Sequence, residues 1–453
     1  MASSATRDDV IVIGAGLSGL YAAWLLSREG VKVEVIEARD RVGGRIESFR
    51  NVVGNPEMGG DSILAGYGRL MSAAAQVGVK LVDDSPRRSR SRPELALGGR
   101  VIPRAQWPDH PLNVMPADGR ESFPGRAYLE SVIARHMPAG MDSTWYAAGN
   151  SRHEQSAYQF LKGIGWSDAA IELNYETNIP RGSSAHEASM LMWYFLVGWF
   201  RNQGDLGDAA MRAVGGNQSI AEGLAAALPR PPTLRSPVAV IRQTPTGVEV
   251  ECENGKVHRA ARVVCSTPLP PLRYVRFDPP LSSVKSRAIR TVPSMMITKM
   301  LFRPTRRYWE QDGLDPGMWT DSAAGMVRPL RQGADEADVT TLMTWARGSL
   351  AQRLDILGPR AAQALVIAEI EKLRPAARGA LEPIGFKSWQ TDRFAGGTWS
   401  VWAPGQPQQF LPELARAEGR LHFCGEHTAL SNRGMEGAME SGERAALEIL
   451  APT

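Results

Sequence analysis

Gly14, Gly16 and Gly19, spaced as GAGLSG, and Glu37 at the end of the next apolar run could together do one kind of chemistry. The first glycine permits a tight strand-to-helix turn, the second leaves bare backbone for a pyrophosphate, and the third lets a helix pack closely on a strand. A carboxylate after the second strand accepts hydrogen bonds from both ribose hydroxyls. An acid there disfavours a 2′-phosphate, so the pattern points to NAD or FAD and away from NADP. Far along the chain, Lys299 stands alone in the apolar stretch MMITKMLF. Burying a lysine is costly unless it has a task. Strand alternation puts Ile297, Lys299 and Leu301 on one face. Two readings stand at this point, a lysine in a site and an edge-strand lysine facing solvent.

These side chains need elements to hold them. Residues 10–13 form a β-branched run, short enough for a buried parallel strand. A helix follows with Leu20, Ala23, Trp24 and Ser27 on one face, closed by Gly30, and residues 31–36 make the second strand. Phosphates would sit on the unpaired N–H groups at that helix N-terminus. Residues 422–450 (HFCGEHTALSNRGMEGAMESGERAALEIL) read as strand, Gly425-Glu426, loop, and a helix starting near Met435. The positive end of this helix points at whatever occupies the loop.

Just past Glu37, Arg39, Gly43, Gly44 and Arg45 make ARDRVGGR. This resembles the extended dinucleotide signature of the flavin-dependent amine oxidase family, which also contains many desaturases. The resemblance selects FAD and implies that the second glycine pair and its arginines wrap it. It further implies that Gly59 and Gly60 in EMGGD bring backbone against the flavin ring and that Val238 in SPVAVI meets the adenine. Glu426 would face the ribityl or phosphate region beside Gly425, and the Met435 N–H the flavin pyrimidine oxygen. In the family, a lysine at the place of Lys299 holds a water against flavin N5, next to the substrate C–H. Trp389 resembles the tryptophan that flanks the flavin.

The substrate side carries both a match and a departure. Trp399 in GGTW stands where the family places one wall of an aromatic cage. Thr398 occupies the position where some members bond a cysteine to the flavin, which implies noncovalent FAD. Members with a full cage carry a tyrosine just before the residue matching Met435; here it is Gly434, preceded by Asn432 and Arg433. Asn432, Arg433 and Gly434 are therefore the candidates for the second side of the substrate site. Arg433 reads equally as a carboxylate anchor or as a solvated loop arginine.

The resemblance implies oxidation of a C–N bond. A hydride leaves the carbon α to the nitrogen of an amine or amide-like substrate, giving an imine or iminium, and O2 reoxidises the flavin to yield H2O2. Two other activities remain open on these residues, an L-amino-acid oxidase and a flavin desaturase or isomerase acting on C–C bonds. The resemblance also admits a homodimer.

With 453 residues the chain has room for about three ordinary domains. Hydrophobic content of 43% and charged content of 22% are those of a soluble globular protein. A net charge of +4 gives no case for nucleic acid. The one basic run, Arg87, Arg88, Arg90 and Arg92 in SPRRSRSRPE, lacks aromatics for base stacking and reads as a solvated loop. Cys252, Cys265 and Cys424 have no CxxC spacing, and no HExxH, GxSxG or P-loop pattern occurs. A metal is not expected. The start MASSATRDDV has no apolar core of a signal peptide, and the longest apolar run, residues 190–200, is too short to span a bilayer. A cytoplasmic protein without a membrane span is the expectation.

The expected fold is α/β, a Rossmann-like FAD-binding domain with a discontinuous mixed α+β substrate-binding domain. Residues 1–92, 208–290 and 391–453 are assigned to the first, and 93–207 and 291–390 to the second. In 93–207 strand alternation gives way to helical periods, with helices expected at 128–136 and 155–164. Ser184 and Glu187 form a capping-box pattern ahead of Met190, Trp193, Tyr194 and Val197, a stripe read as core. Asn254-Gly255 predicts a hairpin.

Overall fold

In the computed structural model, which describes residues 8–207, 209–335 and 337–451, the strand Asp8–Ile13 lies between two parallel neighbours. Val33–Ile36 pairs with it on one side, Ile13 opposite Ile36, and Val257–Cys265 on the other, Ile13 opposite Cys265. Leu421–Phe423 runs parallel to Val257–Cys265 on its other edge, so the last strand of the chain lies one strand away from the first. The sheet continues through the antiparallel strands Gly247–Cys252 and Val238–Thr244 to Arg276–Asp278. Asn254-Gly255 does turn a hairpin, with Gly255 at φ +80°. The strand Asp8–Ile13 is buried from Val10 onward, which explains its unbroken apolar run.

The helix Leu17–Arg28 is buried more widely than one face, because the C-terminal helix Gly434–Leu450 packs against it. A Cβ on Gly442 would come within 2.4 Å of the Ser18 carbonyl oxygen, so that approach requires glycine.

A second sheet runs in the order Leu381–Ser388, Ile297–Pro304, Val339–Arg347, Met326–Arg331, Met318–Thr320, Glu94–Leu97, Arg100–Ile102. All pairings are antiparallel except Met318–Thr320 with Glu94–Leu97. Ile297–Pro304 is an inner strand, buried through its first six residues. Lys299 therefore cannot be an edge lysine. The helix Gly348–Leu373, kinked at Gly358, covers the face that Met300 and Phe302 present. A three-stranded ribbon of Ile63–Leu64, Ala210–Ala213 and Leu81–Asp83 completes the sheets.

Three local expectations need correction. Residues 94–102 form a hairpin turning at Gly98-Gly99, both at positive φ, inside the segment expected to be helical. The long buried helix Met190–Asp205 is capped by Ser189, whose Oγ accepts from the Leu191 and Met192 N–H groups, and not by Ser184. A full capping box occurs instead at Ser156 and Gln159, ahead of Ala157–Gly163. Third, the basic run is a solvated loop only at Arg90 and Arg92, which are exposed beyond the helix. Ser85–Ser89 is helical, and Arg88 bonds Asp61 and Asp84, both at 2.9 Å. The stripe Met190, Trp193, Tyr194 and Val197 is core, as read. Among the described residues, no helix is long and apolar enough to cross a membrane.

Candidate active site

A cavity of about 1220 Å³ opens between the two sheets, lined by Ile13 and Ile36 from the first and by Ile297, Lys299 and Trp345 from the second. Ordinary small-molecule pockets hold roughly 300–1000 Å³. This one has room for a dinucleotide and a substrate together.

The first fingerprint lies at one end. Gly14 has φ +100°, and a Cβ on Gly16 would meet nothing within 4 Å, leaving its backbone open to the cavity. A Cβ on Gly19 would come within 2.1 Å of the Gly14 carbonyl oxygen. Gly19 thus serves helix packing and does not line the cavity. Glu37, 5% exposed, has both oxygens oriented by backbone, one accepting from the Ala15 N–H at 2.6 Å and the other from the Arg39 N–H at 2.8 Å. Each carboxylate oxygen keeps a free lone pair for a further donor.

The second glycine pair folds back on the first. Gly16 and Gly43 form an isolated bridge, and Gly44 abuts Gly16. Arg39 binds Asp392 through both guanidinium ends, at 2.8 and 2.7 Å. Burial alone would raise the Asp392 carboxyl, but hydrogen bonds from Arg39 and Lys387 hold it down at about 2. Arg45 donates to the Thr398 carbonyl and stands 3.9 Å from Glu426. Val238 lines the cavity beside Pro237. The bare Gly16 backbone, the helix N-terminus at the cavity wall and the oriented Glu37 suit a dinucleotide.

Toward the other end, Lys299 is 2% exposed, and its Nζ donates to the carbonyls of Glu57 at 3.0 Å and Gly59 at 3.2 Å. Its third side rests on the Trp345 ring, 4.3 Å from the centroid. Burial pushes its pKa down to about 8, against the pull of Asp61 and Glu57. Trp389 Nε1 donates to the Met58 carbonyl at 2.7 Å. Three successive residues, Glu57, Met58 and Gly59, are thereby held from the second sheet. Gly60 continues this wall and touches Met435, the second residue of the C-terminal helix.

Glu426 sits between two arginines, Arg45 and Arg433, the latter 3.6 Å away, and accepts from the Ser400 N–H at 3.1 Å. The solvated-loop reading of Arg433 is overturned: it is 8% exposed and also donates to the Ser400 carbonyl at 3.4 Å. Asn432 does not reach the cavity; its side chain bonds Glu440 at 2.9 Å and accepts from Trp199 Nε1 at 3.3 Å. Gly425 is also outside the lining, its N–H donated to Ser441 at 2.8 Å. Gly434 lines the cavity at φ +59°, and a Cβ there would stand 3.5 Å from the Tyr67 hydroxyl. The Thr398 hydroxyl donates to the Met295 carbonyl at 3.1 Å, and Trp399 presents a partly buried ring to the cavity.

Several lining residues had no sequence signal. Tyr67, the residue before the helix Gly68–Gln76, lines the cavity and brings its hydroxyl toward Gly434. Trp345 is paired directly across from Lys299, which only the strand register reveals. Arg181 and Arg347 reach the cavity from a loop and a strand end. Arg88 of the basic run lines it too. Among the described residues, no cluster of His, Cys, Asp and Glu could hold a metal.

The family model described as flavin containing amine oxidoreductase matches residues 17–450. An L-amino-acid oxidase of Siganus canaliculatus is 28% identical over 98% of this chain and 85% of its own. The flavin-containing amine oxidase B of Homo sapiens is 27% identical over 98% and 86%. In structure, the fold is shared with cyclohexylamine oxidase from Brevibacterium oxydans, at TM-score 0.77 and 22% identity over 98% of each chain. Putrescine oxidase solved with putrescine bound gives 0.74 and 22%, over 98% and 99%. A match running almost end to end places the chain in the flavin-containing amine oxidoreductase family.

Proposed function

We propose that the protein oxidises an amine at the carbon α to nitrogen, with noncovalently held FAD, and that residues 1–92, 208–290 and 391–453 hold the cofactor while 93–207 and 291–390 shape the substrate side. The observation that carries the reading is Lys299, a buried cation on an inner strand, tied to the Glu57 and Gly59 carbonyls at the wall of a dinucleotide-sized cavity. When bound, FAD supplies the hydride acceptor and passes the electrons to O2, giving H2O2.

The chain's own residues divide the remaining work. Glu37 receives the ribose hydroxyls, and the Gly14–Gly16 backbone with the helix N-terminus receives the pyrophosphate. Val238, Arg45 and Glu426 hold the rest of the dinucleotide, and the Met435 N–H, at a helix N-terminus, favours negative charge on the ring. Lys299 would hold a water beside the reacting C–H by turning one N–H away from the Gly59 carbonyl, the longer of its two bonds. Trp399 and Tyr67 present ring faces that orient a neutral amine and keep bulk water away. The imine or iminium then hydrolyses in water. The same reading puts the protein in the cytoplasm, where its three buried thiols stay reduced, and allows it to work as a homodimer.

Acid precipitation tests the cofactor mode: the flavin should leave with the supernatant. A peroxide assay over primary, secondary and cyclic amines tests the reaction, and conversion of C–C substrates to alkenes without peroxide would favour a desaturase instead.

A further inference from the structure

Arg126, Arg181, Arg328 and Arg347 are among the arginines that line the cavity. Two have carboxylate partners. Arg126 pairs with Glu130 at 2.8 Å, one helical turn along, and Arg328 with Asp61 at 3.2 Å. Arg181 and Arg347 have no ion pair among the described residues. Arg181 is 6% exposed; its Nη1 donates only to the adjacent Pro180 carbonyl at 2.8 Å, and its Nε is buried without a partner. The Nε of Arg347 is buried and unpartnered as well.

What faces these two guanidiniums is aromatic or cationic. Arg181 lies over Trp399 at 5.5 Å and over Trp193 at 5.8 Å, and Arg347 over Trp345 at 4.9 Å. Indole faces offset part of the lost hydration but leave the N–H edges unsatisfied. Burial opposes the charge of Arg181, and Arg126, Arg433 and Arg347 add to that opposition; burial, Arg126 and Arg328 act likewise on Arg347. Glu130 is the acid that offsets both. Arginine keeps its proton in proteins, so the excess positive charge stays in the cavity and calls for an anion. A planar guanidinium fork matches a carboxylate through paired hydrogen bonds.

The two arginines stand against Trp399 and Trp345, the latter also the platform of Lys299, so the anion they call for shares the cavity with the reacting amine. We infer that Arg181 and Arg347 form a carboxylate-binding subsite, and that the substrates of this enzyme are amines carrying a carboxylate on the same molecule. The inference rests on the amine-oxidation reading above: that reading names the bond broken, this one the group by which the substrate is held. Dications such as diamines are disfavoured by the same charges.

The test is anaerobic flavin reduction in the FAD-loaded enzyme with matched pairs, phenethylamine against phenylalanine and butylamine against 4-aminobutyrate, each with its phosphonate analogue. A charge-assisted pair of hydrogen bonds should favour the carboxylated member of one pair by about tenfold or more in kcat/KM, mainly through KM. Arg181→Gln and Arg347→Gln should collapse that preference, and Arg181→Lys and Arg347→Lys, which keep charge and bulk, should restore part of it. Benzoate, titrated against tryptophan fluorescence, should saturate the wild type and lose affinity in both glutamine variants. Plain amines that match or outrun the carboxylated members, with ratios unmoved by the substitutions, overturn the subsite and leave amine oxidation standing. A consistent preference for the phosphonates overturns the carboxylate assignment. If no compound of either kind reduces the flavin, amine oxidation itself falls, and the benzoate titration alone decides for or against the subsite.

Discussion

Lys299 Nζ donates to the carbonyl oxygen of Glu57 at 3.0 Å, joining residues 242 positions apart in the chain. The contact places a buried ammonium group against the backbone of the glycine-rich wall, and burial sets its pKa at about 8. Its charged form therefore prevails below that value and declines above it. The rate of flavin reoxidation, aided by a nearby cation, should fall as pH rises through about 8. Lys299→Met should lower reduction or reoxidation rates with FAD still bound and remove the Lys299 part of that inflection, the Glu57 carboxyl, raised by burial to about 8, keeping its own. Stopped-flow traces across pH check both; unchanged kinetics in the variant would remove Lys299 from the chemistry.

Gly16 and Gly19 should separate binding from folding. A Cβ at Gly16 meets nothing within 4 Å, so Gly16→Ala should change apoprotein stability by no more than about 1 kcal/mol. It would fill the phosphate cradle, and FAD affinity should drop by about tenfold or more. Gly19→Ala drives a Cβ to 2.1 Å from the Gly14 carbonyl oxygen and should destabilise the protein with or without FAD. Thermal melts of apoprotein and FAD titrations distinguish the two.

The Arg39–Asp392 pair predicts an acid dependence. The Asp392 carboxyl titrates at about 2 in the folded protein against a usual value of 3.8. A depressed carboxyl contributes stability above its unfolded value and loses it as pH falls toward the folded one. That contribution, about 2 kcal/mol, should vanish between about pH 4 and 2 and be missing in Asp392→Asn. Urea unfolding at several acid pH values measures it.

Tyr67 lines the cavity with its hydroxyl 3.5 Å from where a Cβ on Gly434 would stand, and in the proposed function its ring is the second aromatic wall. Tyr67→Leu should raise KM for aromatic amines by about threefold to tenfold, with a smaller change for aliphatic ones, as the loss of one ring contact requires. Tyr67→Phe should keep most of the affinity. Equal effects on both amine types would remove the ring from the substrate wall.

How far the sequence reached depends on how local each signal was. The Gly14–Glu37 unit was readable because its strands, turn and acid lie within one stretch, and the same holds for the helix at Met435. Lys299 stood out by type, yet its exclusion from an edge needed the neighbours Val339–Arg347 and Leu381–Ser388, which only pairing reveals. Tyr67, Trp345, Arg181 and Arg347 line one cavity from separate loops and strands with no shared period. Gly98-Gly99 was a turn signal hidden between two very short strands. The two readings of Arg433 stayed open in the sequence because nothing local showed Glu426 as its partner.

Anaerobic mixing of the holoenzyme with amines and amino acids, followed by admission of oxygen, tests the central claim most directly. The account requires that at least one such compound bleach the visible flavin absorbance, that oxygen restore it, and that peroxide form in equal amount with an imine-derived carbonyl product. A flavin that no C–N substrate bleaches, or one bleached only by substrates that yield a carbon–carbon double bond, would contradict it.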